Sequence, residues 1–140
     1  MSRSDVLLES ITSFFEEPEN EAILKDILQK KVGISLRKLE WFITNYSKDK
    51  NICFGNFSVH CAYKSTLNGY SKKLFDPFCR TSKIDYKGIS TTVAQLNFIR
   101  WCIKNKIIDY IIDNKNDIFL NKPSTNRSVL ILDNLDGDVK

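Results

Sequence analysis

Few side chains in this sequence could act on a substrate, and their spacing gives them little to act with. The single histidine is His60, and the four cysteines are Cys53, Cys61, Cys79 and Cys102. His60 and Cys61 adjoin, so on a helix they point away from each other, and a Cys–His nucleophile pair does not follow from their adjacency. The cysteines are separated by 8, 18 and 23 positions, which gives no CxxC pair of the kind that holds zinc or cycles a disulfide. Each thiol has aromatic or aliphatic neighbours, as in Ile52-Cys53-Phe54 and Trp101-Cys102-Ile103, which reads as reduced core cysteine. The chain contains no GxxxxGK[ST], GxGxxG or HExxH motif. The expectation is a protein that is not an enzyme, with no catalytic residue, cofactor or metal.

A different chemistry is written into Tyr70-Ser-Lys-Lys-Leu-Phe-Asp-Pro-Phe-Cys-Arg-Thr-Ser-Lys83, where cations and aromatics interleave. Lys72, Lys73, Arg80 and Lys83, with Arg100 further on, could neutralise phosphates or an acidic partner, and Phe75 and Phe78 could stack on bases. The plainer reading is that both phenylalanines plug the core and Asp76 pairs with Arg80. The charge is unevenly distributed along the chain. Residues 51–115 carry 10 basic and 4 acidic side chains, whereas 1–50 carry 8 and 9 and 116–140 carry 3 and 4. The excess lies on a stretch running from Lys64 to Lys106, where it forms either a partner-facing surface or an ordinary solvated lysine face.

These residues must be positioned by helices. Val6, Leu7, Ile11, Phe14 and Phe15 recur at helical spacing after a Ser4 N-cap, and the helix ends before Pro18. A second helix over 20–31 carries Ala22, Ile23, Ile27 and Leu28, with Gly33 as its stop. Ser35 caps a third, with Leu36, Leu39, Phe42, Ile43 and Tyr46 on its apolar face. Residues 51–59 admit a short extended pair turning at Gly55-Asn56. A helix over 58–75, interrupted near Asn68-Gly69, ends at Asp76-Pro77, because the residue before proline is pushed out of helical geometry. Residues 80–90 read as a loop with an extended Lys83–Tyr86. Thr92-Val-Ala-Gln95 then has capping-box form and opens a long, central helix reaching Asn114. Trp41 and Trp101 are expected to pack helix 3 against it.

The resulting expectation is a mainly α fold: a compact domain of about five helices, a short β-hairpin near 51–58 and a flexible acidic C-terminal tail. The boundaries are a helical pair over 1–33, a core over 34–118 forming one globular unit with it, and a tail over 119–140 that holds the apolar tetrad Val129–Leu132. A hydrophobic fraction of 42% over 140 residues is enough to build a core. No apolar run approaches the roughly 18 residues of a membrane span, and no secretory leader is recognisable, so neither insertion nor secretion is expected.

Four stretches, 35–46, 63–65, 70–80 and 91–101, together with an Asn-, Lys- and Ile-rich composition, resemble a group of small uncharacterised proteins of nucleocytoplasmic large DNA viruses of the mimivirus kind. The resemblance spans about residues 34–115, leaving out the first two helices and the tail. It implies a viral accessory or virion-associated protein of the host cytoplasm or viral factory, with a protein partner, and supplies no active-site residues. Nucleic acid is the alternative partner; the sequence leaves the oligomeric state open.

Overall fold

The computed structural model describes residues 3–29 and 34–120. The chain divides into two compact units, residues 1–108 and 109–140. The first holds most of the fold. The architecture is mainly α with two small antiparallel hairpins.

Helix α1 (Arg3–Phe14) begins before Ser4, which therefore lies inside its first turn and does not cap it. Its buried line is Leu7, Ile11 and Phe15, while Val6 faces outward. Helix α2 (Pro18–Leu28) starts on a proline whose missing N–H costs nothing in the first turn. The buried pair is Leu24 and Ile27, a line rotated from the expected one, and Ala22 is exposed. The helix closes at Gln29, earlier than the expected Lys31; the proposed stop at Gly33 lies outside the described residues.

Helix α3 (Leu36–Trp41) is capped as expected, with Ser35 Oγ accepting the Lys38 N–H at 3.1 Å. It widens into a π turn over Phe42–Tyr46 and resumes as α4 (Ser47–Asp49). Thr44 and Ser47 donate their hydroxyls to the carbonyls four residues back, at 2.9 and 2.6 Å, the kind of back-bonding that bends helices.

Strands β1 (Cys53–Phe54) and β2 (Phe57–Ser58) pair across Gly55-Asn56, with Gly55 at φ 63°. Ser58 then caps α5 (Val59–Tyr70). The interruption expected at Asn68-Gly69 falls at Ser71, whose φ of 82° is in the left-handed region. After it comes α6 (Lys72–Phe75). The stretch expected to be mainly loop contains a second hairpin, β3 (Ile84–Tyr86) and β4 (Ile89–Thr91). Its two-residue turn, Lys87-Gly88, has positive φ at both positions, which matches the right-handed twist of the strands. The Lys87 ammonium reaches Glu21 at 3.6 Å and so ties the hairpin to α2.

Helix α7 (Val93–Lys104) is the most buried element, with Ala94, Leu96, Asn97, Phe98, Ile99, Arg100 and Cys102 all enclosed. The single long helix expected to Asn114 is broken: the Asn105 side chain caps the Trp101 carbonyl at 2.8 Å, and Lys106 turns the chain at φ 64° into α8 (Ile107–Asp113). In the second unit α8 finishes and α9 (Lys115–Leu120) follows, a helix the sequence reading did not anticipate. Asn114 Nδ2 caps the Tyr110 carbonyl at 2.9 Å between them. The tail from 121, with its apolar tetrad and acids, lies outside the described residues.

Candidate partner-binding surface

The segment 71–83 is held to the core from beneath by its backbone. Asn97 Nδ2 donates to the Leu74 carbonyl at 2.9 Å, and Gln95 Nε2 donates to the Pro77 carbonyl at 3.1 Å, so α7 grips both sides of Asp76. The expected capping box is only half formed. Thr92 Oγ1 accepts the Gln95 N–H at 3.1 Å, but the Gln95 side chain turns away to Pro77 and accepts the Thr91 hydroxyl at 2.6 Å.

Arg100 belongs to the same network and is withdrawn from the contact set. Its guanidinium is buried, donating to Asn97 Oδ1 at 2.9 Å and to Ser10 Oγ at 2.8 Å. It locks α1 to α7 and orients the amide that holds Leu74. A buried cation engaged in this way cannot reach a phosphate.

Phe75 is withdrawn too. It has no exposed surface, and its ring centroid lies 5.7 Å from that of Tyr63, 5.8 Å from Phe98, 5.7 Å from Trp101 and 5.8 Å from Tyr70. These edge-on and stacked contacts make it the hub of the aromatic core. Trp101 completes that cluster with Phe57 and Tyr63, so its aromatic neighbours come from β2, α5 and α6; the Trp41 ring lies 6.0 Å from Tyr46 on its own helix.

Phe78, only three residues on, does not plug the core. It is 43% exposed, and the Arg37 guanidinium of α3 sits over its ring, 5.2 Å from the centroid. Asp76 does not serve Arg80 as expected; its Oδ1 accepts the Phe78 N–H at 2.9 Å and fixes the turn. Lys72, Lys73, Arg80 and Lys83 are exposed and enter no ion pair among the described residues. Of the seven candidate contact residues, these four and Phe78 therefore stay at the surface. Arg37 was missed by sequence reasoning, since nothing local marks a partner 41 positions away. Asn97 did leave a signal, as an amide inside an apolar stripe.

Two acids border the surface. Burial raises the Glu40 carboxyl above its ordinary value, the nearby Asp76 charge raises it further, and Arg37 works against both. The Tyr63 hydroxyl is pushed up by burial, with Glu40 and Asp76 adding to the effect.

The remaining chemical candidates stay apart. His60 is partly buried on α5, and its proton affinity is lowered first by burial and then by Lys48 and Lys64. The cysteines do not all behave as core thiols. Cys102 is buried, and burial pushes its thiol up, whereas Cys53 and Cys61 are exposed and Cys79 is intermediate. Cys53 takes the outward position of β1, and Cys61, two residues from the buried Val59 and Tyr63, lies on the opposite face of α5. Among the described residues no group of His, Cys, Asp and Glu could hold a metal ion, and no helix is long and apolar enough to cross a membrane.

Comparison with known proteins places the chain. A family model described as a family of unknown function (DUF7197) matches residues 1–128, so the likeness extends beyond the expected 34–115 to include α1 and α2. An uncharacterized protein of Acanthamoeba polyphaga mimivirus is 42% identical over a match covering 61% of this chain and 40% of that protein. The chain thus spans less than half the length of this curated relative. No solved structure matches. The expected resemblance to uncharacterised giant-virus proteins holds, and the chain belongs to this family of unknown function.

Proposed function

We propose that this viral protein is a non-enzymatic accessory component that acts through protein contacts, either carried in the virion or working in the host cytoplasm or viral factory. The observation that supports this reading best is the construction of the 71–83 segment. Its backbone is fastened to the most buried helix by Asn97 and Gln95, yet its cations Lys72, Lys73, Arg80 and Lys83 are left outside without ion pairs among the described residues. A turn held this firmly loses little conformational freedom when a partner docks, so more of the contact energy is retained as affinity. The giant-virus relative supports the setting. Chemical crosslinking in infected cells, read by mass spectrometry alongside purified virions, should join Lys72, Lys73 or Lys83 to one recurrent protein. Absence of the chain from virions and from any protein crosslink would overturn the reading.

The exposed cations also favour a second reading, a nucleic-acid-binding module in which Phe78 offers the stacking face. It requires affinity for labelled DNA or RNA that falls steeply between roughly 50 and 200 mM salt, as released counterions dictate. No binding at the low end of that range removes it.

A further inference from the structure

The geometry points to the Arg37–Phe78 stack, on a segment that also carries the exposed Lys72, Lys73 and Arg80, as a docking site for an acidic polypeptide segment that carries apolar side chains among its carboxylates. This inference rests on the protein-contact reading above and names the partner's chemistry. A guanidinium lying over an aromatic ring keeps its N–H edge free and loses much of its rotational freedom, which prepares it for a bidentate carboxylate. The ring beneath it is 43% exposed and gives an apolar side chain something to cover. Arg and aromatic residues are the types most often found carrying binding energy at protein interfaces.

The charges carried by the same segment discriminate between anions. Lys72, Lys73 and Arg80 are exposed and have no ion pair among the described residues, so an acidic partner finds complementary charge. Asp76 and Glu40, however, lie close enough to each other and to Arg37 to perturb the Glu40 carboxyl. A nucleic-acid backbone, with a charge on every nucleotide, would have to run past these two acids. A peptide can space its carboxylates to avoid them. Base stacking has also lost its second platform, because Phe75 is fully buried.

The full chain would be titrated with a fluorescein-labelled peptide alternating Glu and Leu, and separately with a labelled oligothymidylate of matched charge. The peptide is expected to bind more tightly than the oligonucleotide. Arg37→Ala and Phe78→Ala should each weaken the peptide about tenfold, the scale of a single well-placed interface anchor. Arg37→Lys should weaken it nearly as much, because an ammonium neither stacks nor forks. Val6→Ala, a change at an exposed apolar residue on α1, should leave binding unchanged, and matching melting curves would confirm that all variants fold. Peptide affinity indifferent to all three substitutions, no peptide binding, or tighter binding of oligothymidylate would each overturn the assignment. In infected cells, a protein crosslinked equally by the wild type and by an Arg37→Ala, Phe78→Ala double variant would refute this surface while leaving the protein-contact role standing.

Discussion

Phe75 and Phe78 are three residues apart, and on a continuing helix they would share a face. One is instead the hub of the core and the other stands on the surface under an arginine. What separates them is Asp76-Pro77. Proline forces Asp76 into extended geometry at φ −77° and ψ 114°, which ends α6 and turns the next ring outward. The same dipeptide thus closes the aromatic core on one side and leaves a ring exposed on the other.

The contrast is tested most severely by truncating each ring. Phe75→Ala should cost about 3–5 kcal/mol in a urea titration, since it opens a cavity among four aromatic rings. Phe78→Ala should change stability by less than about 0.5 kcal/mol. Equal losses would mean that Phe78 is held by the core after all. A smaller effect is expected from Asn97→Ala, which leaves the Leu74 carbonyl and one edge of the buried Arg100 without their partner. About 1–3 kcal/mol is the usual penalty for such an orphaned group, measured by the same titration. Ser71 gives a change of opposite sign. Its φ of 82° is natural only for glycine, so Ser71→Gly should stabilise by about 1 kcal/mol while Ser71→Ala should not.

Much of the fold could be read from the sequence because its signals are local. Ser35 and Thr92 cap the helices they were expected to cap, and the Pro77 stop falls where proline chemistry puts it. What could not be read depends on distant neighbours. The Gln95 side chain has a capping-box partner available and prefers Pro77, 18 residues away. Arg100 sits in a basic stretch yet is spent inside the core on Ser10, 90 residues away. Charge in a sequence is one property and charge at a surface another, and only burial separates them. The same limit applied to the thiols, where apolar neighbours in sequence did not bury Cys53 or Cys61.

Glu40 offers the finest test of the border between the two regions, since it is partly buried and close to Arg37, Asp76 and Tyr63. Burial and the Asp76 charge raise its carboxyl above the ordinary value of 4.5, so the folded protein binds this proton more tightly than the unfolded chain does. The stability contributed by the group is then fully present below the unfolded value and is lost as pH rises through the raised folded one. Glu40→Gln should accordingly stabilise the protein near neutral pH, with a gain that disappears once the pH falls below about 4.5, seen as converging melting temperatures. Asp76→Asn should shrink the gain by removing one of the two causes, although it also weakens the cap on Phe78. If Glu40→Gln instead destabilises at neutral pH, the attraction of Arg37 outweighs burial, and the guanidinium over Phe78 is already committed to a carboxylate of its own helix. That result would weaken the docking site at its centre, because an arginine already answered by Glu40 has less to offer an acidic partner.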